Sequence, residues 1–269
     1  MKSLDDHSTK GILYADSGKR RFRLTRYEPA EALRPFIERY WFTEWDLRGQ
    51  APYRQVILAH PNINMVIMPH NTRIYGISPT TSSQLLEDEG HALGIMFKPA
   101  GFYPFWEQPV SKLAGQSIDF REVFGKEAQS MEDVIVATGD EEKKVLLLES
   151  FLLARLPRPD EHVELLNEMI GRITTDRDIL RVDDMVSRFG VTKRTLQRLF
   201  NRYVGTSPKW VIQRYRLHEA AERMEQGEVT DWTRLSLELG YYDQAHFIKD
   251  FKAMIGRSPE EYMKAMDEA

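Results

Sequence analysis

Arg194, Gln197, Arg198 and Asn201 stand at i, i+3, i+4 and i+7, so a helix would place all four on one face. These side-chain types read base edges. Arginine bonds O6 and N7 of guanine with two parallel N–H groups, and Gln or Asn matches N6 and N7 of adenine. Lys193 and Arg202 flank the stripe, where phosphates would lie. Leu196, Leu199, Phe200 and Tyr203 repeat the same spacing on the opposite side, an apolar stripe that would face a core. The segment therefore reads as an amphipathic helix whose polar face suits the major groove. Taken alone the pattern is weak, because helical bundles expose Arg and Gln widely.

An internal repeat strengthens it. A shift of 51 residues lays Leu196 on Phe247, Phe200 on Phe251, Gly205 on Gly256, Ser207 on Ser258 and Pro208 on Pro259. The matching face of the second unit is Ala245, Ile248, Lys249 and Lys252, with Gln244 beside it. It is less polar. Ala245 and Ile248 are expected to meet thymine methyls, and Lys249 a base or a phosphate. Two unlike reading helices in one chain would span two successive major-groove segments about 34 Å apart and select an asymmetric site. Two copies in tandem would gain avidity.

The elements that position these faces carry their own start and stop signals. Val182 to Phe189 reads as a short helix closed by Gly190. Thr192 can cap the reading helix, and Gly205 can end it. Ser207 with Pro208 opens a longer helix to Met224 that would join the two units rigidly. Asp231 caps a helix running to Leu239, and Gly240 closes it. Asp243 caps the second reading helix, with Phe247, Phe251, Met254 and Ile255 inward. Ser258-Pro259-Glu260-Glu261 opens a last helix with its acids in the first turn. Upstream, Asp160 to Ile173 reads as an amphipathic helix that completes the first unit. His246 is expected to satisfy a local hydrogen bond, and Tyr241 and Tyr242 to pack.

The chain of 269 residues carries a net charge of -4, which does not advertise a polyanion partner. The distribution does. Arg188, Lys193, Arg194, Arg198, Arg202, Lys209, Arg214 and Arg216 fall between Met185 and His218 with no Asp or Glu among them. A charge run is ordinarily a solvated face, but here it coincides with the repeat. Hydrophobic residues make up 42 %, enough for real cores. Apolar runs fall short of the roughly 20 residues of a membrane span. The polar stretch Met1 to Lys10 has no signal-peptide character, so a cytoplasmic protein without a membrane partner is expected. There is no cysteine, which excludes disulfides, thiolate catalysis and Cys-ligated zinc.

The N-terminal half differs in kind. Val56 to Met68 and His91 to Lys98 hold apolar runs bounded by Pro, Asn and Gly and read as strands. Glu31 to Tyr40 reads as a helix with Leu33, Phe36, Ile37 and Tyr40 on one side. Lys143 to Leu156 is a strongly apolar helix, and Pro157 and Pro159 mark a linker near residue 158. The expected layout is α+β. A mixed α/β domain with a helical tail at about 127–156 would occupy residues 1–157, and an all-α DNA-binding domain residues 158–269.

Two stretches resemble the AraC/XylS family of bacterial transcription regulators. One is Thr192-Lys-Arg-Thr-Leu-Gln-Arg-Leu-Phe200 followed by Gly205-Thr-Ser-Pro208 and Tyr215-Arg-Leu-His-Glu-Ala-Ala221. The other is Leu239-Gly-Tyr-Tyr-Asp-Gln-Ala-His-Phe-Ile-Lys-Asp-Phe-Lys252 with Gly256-Arg-Ser-Pro259 and Tyr262. The resemblance covers roughly residues 160 to 265. It implies a seven-helix domain with two helix-turn-helix motifs, double-stranded DNA and RNA polymerase as partners, and Arg194, Gln197, Arg198, Gln244, Ala245, Ile248 and Lys249 facing the groove. Ser236 departs from the usual Ala; its hydroxyl can bond its own helix backbone without functional loss.

The N-terminal half is similar to a subgroup carrying Pro35-Phe-Ile-Glu-Arg-Tyr-Trp41 and Gly94-Ile-Met-Phe-Lys-Pro-Ala-Gly101, which implies a cupin-like β-barrel. In the family such a domain senses a small molecule or mediates dimerisation. Trp41, Trp45, Tyr53, His60, Asn62, Asn64, Tyr75, Phe97, Phe102 and Trp106 are the residues from which a ligand pocket would draw, a minority of them touching a ligand and the rest forming core. The His-x-His pattern of metal-binding cupins is missing, so neither metal nor cofactor is expected, although His60, His70 and His91 have still to be placed. The helix Lys143 to Leu156 either pairs with its copy in a homodimer or packs on its own barrel. Relatives that join this DNA-binding type to an enzyme use a nucleophilic Cys. With none here, and with no Ser/His/Asp motif, P-loop or dinucleotide fingerprint, an enzyme is not expected. The two functions left are an effector-responsive regulator and one whose N-terminal half only contacts partners.

Overall fold

The computed structural model describes residue 13, residues 21–229 and residues 231–267; the polar stretch Met1 to Lys10 lies outside them. Strands β1 (Arg23–Tyr27), β2 (Ile37–Asp46), β4 (Asn64–Ile67), β5 (Arg73–Tyr75), β7 (Glu89–Phe97) and β8 (Ser117–Asp119) form one antiparallel sheet in the order β1-β2-β7-β4-β5-β8. Strands β3 (Tyr53–Ile57) and β6 (Ser82–Leu86) form a separate two-stranded ribbon. The pleat sends alternate residues to opposite faces. One face is the cross-strand row Tyr27, Tyr40, Ile95, Met65 and Ile74, all buried.

Glu31 to Tyr40 is not a helix. A 3-10 turn covers Glu31–Leu33, and β2 begins at Ile37. Pro35 lacks the N–H that a helix interior needs, and the Ile-x-x-Tyr-Trp-Phe run that follows favours a pleated surface. Leu33, Phe36, Ile37 and Tyr40 are all buried, so their helical spacing reflects a turn feeding a strand. The run from Val56 to Met68 divides into β3 and β4 around Pro61.

After β7 come the short helices α1 (Tyr103–Trp106) and α2 (Arg121–Phe124), then α3 (Ala128–Ala137) and α4 (Glu141–Leu153). Seven more helices follow among the described residues: α5 (Glu161–Thr175), α6 (Val182–Phe189), α7 (Lys193–Leu199), α8 (Pro208–Glu225), α9 (Trp232–Glu238), α10 (Gln244–Ile255) and α11 (Pro259–Asp267). A π-helical turn, Phe200–Val204, extends α7. The caps are side-chain oxygens meeting orphan N–H groups. Thr192 accepts from the Thr195 amide at 3.1 Å, and Ser207 from that of Trp210 at 3.2 Å. Asp243 accepts from the His246 amide at 2.8 Å. Gly190, Gly205, Gly240 and Gly256 all take positive φ where the chain turns. Asp231 caps α9 through the amides of Thr233 (2.8 Å) and Arg234 (3.3 Å). Replacing Asp231 with Ala should therefore cost about 1 kcal/mol of stability, read as a lower urea midpoint at unchanged slope. An unchanged midpoint would mean that the cap contributes nothing.

The cores explain how the two halves meet. One cluster of buried residues runs without interruption from Tyr27 in the sheet through Leu148 and Met169 to Phe200 and Ile212. The other gathers Leu217, Ala220, Met224, Phe247, Phe251 and Tyr262, together with Leu13 and Leu58. Helix α8 enters the first cluster with Val211 and Ile212 and the second with Leu217 to Met224, so it joins the modules as a rigid strut.

Candidate nucleic-acid interface

The polar stripe of the first module lies open. Arg194, Gln197, Arg198 and Asn201 are exposed, while Leu196, Leu199, Phe200 and Tyr203 behind them are buried. In the second module Ala245, Lys249 and Lys252 are exposed above buried Phe247, Phe251, Met254 and Ile255. Gln244 and Ile248 are half-buried. The Gln244 side chain accepts from Thr233 Oγ1 at 3.1 Å, and Ile248 packs on the second cluster. Both modules therefore present an outward face on their second helix. Ser236 is fully buried and donates to the Thr233 carbonyl at 2.8 Å within its own helix. Tyr241 is buried as expected, but Tyr242 is 88 % exposed and does not pack, because it lies in the turn before α10.

The acid-free basic run does not form one cationic surface. Arg214 and Arg216 are buried. Arg216 donates to the carbonyls of Asp176 (3.1 Å) and Ile179 (2.9 Å), tying α8 to the turn before α6. Arg214 Nη2 donates to the Ser78 carbonyl at 2.5 Å, its guanidinium lies 4.4 Å from the Trp210 ring centre, and burial pushes its pKa down to about 10. Arg188 pairs with Asp176, and Lys193 lies 2.6 Å from Asp183. Arg194, Arg198 and Lys209 remain outward.

The N-terminal half reaches the end of the first reading helix. Tyr103 of α1 packs on Tyr203 with ring centres 4.2 Å apart and planes tilted by 42°, and Arg202 Nε donates to the Tyr103 hydroxyl at 2.6 Å. Burial and a 2.9 Å bond to Asp160, the cap of α5, push the Tyr203 phenol up to about 12, so it stays a neutral donor. Ser111, in a 3-10 turn at Val110–Leu113, donates to the Asn201 side chain at 3.2 Å. A Cβ added to Gly205 would come within 2.9 Å of Val110 and would need φ +94. Asn201 and Arg202 thus serve the junction between the halves as well as the stripe. Nothing in the spacing signals Tyr103 or Ser111, which lie 99 and 90 residues from Arg202 and Asn201 in the sequence.

Four of the ten N-terminal residues considered for a ligand share one sheet face. Trp41 lies opposite Gly94, Trp45 opposite Gly90, and Asn64 between Tyr75 and Met96. A Cβ on Gly94 or Gly90 would strike the Trp41 or Trp45 ring, so those glycines let the indoles lie flat on β7. Tyr53 is on the separate ribbon. Phe97, Phe102 and Trp106 belong to the buried side, with Phe97 and Phe102 ring centres 5.2 Å apart. Asn62 is buried and donates to the Phe97 carbonyl at 2.5 Å. His60 stacks on His218 of α8, centres 4.2 Å apart and planes within 4°, so it serves the junction between the halves. His60, His70 and His91 do not gather, and among the described residues no three His, Asp or Glu side chains are grouped to hold a metal ion.

Two helix-turn-helix modules joined by one long helix define a class of DNA-binding domain, and the comparisons agree with that geometry. Residues 185–265 match a family described as "Helix-turn-helix domain", and residues 25–119 one described as "Domain of unknown function (DUF6597)". The chain is 36% identical over 85 residues to the HTH-type transcriptional activator AarP of Providencia stuartii, covering 31% of this chain and 61% of that protein. It is 34% identical over 92 residues to the uncharacterized HTH-type transcriptional regulator YidL of Escherichia coli (strain K12), covering 32% of this chain and 29% of that one. The chain thus spans less than two thirds of the length of these relatives. Among solved structures, ToxT from Vibrio cholerae O395 aligns over 93% of this chain and 95% of its own, at 12% identity and a TM-score of 0.38, a likeness too weak to carry any property across. Residues 185–265 are thus a helix-turn-helix domain, similar to those of the HTH-type transcription regulators that the chain matches. No helix among the described residues is long and apolar enough to cross a membrane.

Proposed function

We propose that this protein regulates transcription by binding an asymmetric DNA site as a single chain, with residues 158–269 reading and residues 1–157 regulating. The observation that carries the reading is the exposure of both second-helix faces over buried apolar stripes. Arg194, Gln197, Arg198 and Asn201 supply hydrogen-bond readout in one major-groove segment. Gln244, Ala245, Ile248, Lys249 and Lys252 supply methyl and phosphate contacts in the next. Selection from a random duplex library with the purified chain tests this. A recovered consensus with two dissimilar halves supports it; recovery of unenriched sequence refutes it.

The face bearing Trp41, Trp45, Asn64 and Tyr75 is assigned to a small-molecule effector, since indoles, an amide and a phenol spread along one sheet face suit a ring-bearing polar ligand. A ligand bound to the native state raises the melting temperature, and Trp41→Ala should abolish that rise. A metabolite library that leaves the melting temperature unmoved favours instead a half that only contacts partners. RNA polymerase is the expected partner of such a regulator. A second copy is the other: α4 buries Val145, Leu148 and Leu152 in its own core but leaves Leu146 and Leu153 outward, 53% and 39% exposed. If that stripe pairs with itself, Leu146→Lys/Leu153→Lys lowers the mass seen by sedimentation; an unaltered mass argues against this dimer.

A further inference from the structure

The two modules leave a cleft of about 320 Å³ between them. It is bounded by the starts of three helices: Arg181 and Val182 at α6, Lys209 and Gln213 in the first turns of α8, and Tyr242 and His246 at α10. None of the described residues lining it is Asp or Glu. Asp250 sits behind, where its carboxylate accepts from Gln213 at 2.9 Å and lies 3.6 Å from His246 Nε2. The Arg181 and Lys209 side chains are exposed and have no carboxylate partner among the described residues, although the Arg181 amide donates to Asp184 at 2.6 Å. Deeper in, Tyr241 and Arg216 are only 7% and 3% exposed; the Tyr241 hydroxyl and Arg216 Nε have no hydrogen-bond partner, while Arg216 Nη1 is paired with Glu219 at 3.1 Å. Buried donors left without acceptors are costly. The starts of α6 and α10 are already capped by the Asp184 and Asp243 carboxylates, but the start of α8 has only the neutral Ser207 cap, and with the unsatisfied Tyr241 hydroxyl and two exposed cations it suits an anion.

We propose that this cleft seats a backbone phosphate of the DNA between the two major-groove segments read by α7 and α10. The inference rests on the DNA-binding reading above and adds a third, sequence-independent contact to it. Position favours DNA over a free anion. Tyr242 and His246 belong to the head of the second reading helix, and the 2.6 Å pair between Lys193 and Asp183 holds the head of the first beside the start of α6. Two major-groove segments on one face of a duplex are separated by a minor groove, and the phosphates bordering it pass between the two heads. Arg181 and Lys209 grip from the rim, above the unsatisfied Tyr241 hydroxyl.

The test uses the full chain and a duplex recovered by selection. Wild-type affinity is measured across a salt series and compared with Arg181→Gln/Lys209→Gln, with Arg121→Gln/Lys126→Gln in the N-terminal half as an equal-charge control. Losing the one phosphate contact should flatten the slope of log K against log salt by about 0.9. The loss should appear equally on selected and random duplex, and base preference should be unchanged. A neutral methylphosphonate at the central phosphates should weaken the wild type and leave the double variant unaffected, a readout independent of how the variant folds. If the wild type binds steeply but the slope is unchanged in the double variant, or the methylphosphonate is silent with wild type, the cleft is not a phosphate seat. If the wild type binds no duplex at all, the DNA reading falls, and the cleft with it.

Discussion

Replacing Arg198 with alanine is expected to weaken binding to the selected duplex by about 1–3 kcal/mol, roughly five- to 150-fold, and to relax preference at one base position. Arg198 is exposed in the middle of the first stripe, one turn along from Arg194, with Leu199 and Leu196 fixing the helix from behind. A bidentate arginine–guanine pair is lost as a unit, so a different base at that position should bind the variant almost as well as the original. Random duplex should lose much less, because only the charge contributes there. Lys249→Ala is the complement: if Lys249 contacts phosphate, its loss is uniform across sequences. Binding competition against single-base variants of the site measures both. An Arg198→Ala protein weakened equally on selected and random DNA would show that Arg198 contributes charge without reading a base.

Phe200→Ala should cost about 3–5 kcal/mol of folding stability, lowering the melting temperature by an order of 10 °C. Phe200 is fully buried where α7 passes into the π-helical turn, so its ring anchors the reading helix. Its cluster also contains Tyr27 and Phe97 of the sheet and Leu148 of α4. The cavity is therefore expected to destabilise sheet and first module together, in one transition seen alike by aromatic fluorescence and by far-ultraviolet dichroism. Two separated transitions, with only the later half shifted, would mean that the halves melt independently and that the shared core contributes little.

The C-terminal half was legible because its signals are local. Thr192, Ser207, Asp231 and Asp243 are caps whose oxygens meet amides two or three residues on, and Gly190, Gly205, Gly240 and Gly256 are the left-handed stops after each helix. The apolar stripes at i, i+3, i+4 and i+7 are buried as their period demands. What was not legible depends on pairs distant in sequence. The basic run looks uniform in one dimension, yet Arg214 and Arg216 turn inward because Ser78, Asp176 and Ile179 offer them carbonyls. Asn201 looks like a base reader alone, yet Ser111 reaches it from the other half. Glu31 to Tyr40 carries a helical spacing of apolar residues, and only the missing N–H of Pro35 and the pairing of β2 with β7 decide for a strand. The N-terminal residues divided for the same reason. Trp41, Trp45, Asn64 and Tyr75 share a face because four strands align them, while His60 is claimed by His218 of α8.

The most direct test of two unlike reading faces on one chain is a hydroxyl-radical footprint of the selected duplex, taken where the protein is a monomer. The account predicts two protected segments about one helical turn apart on the same side of the duplex, with Arg198→Ala deprotecting one and Lys249→Ala the other. A single short footprint, or two segments on opposite sides, would contradict it.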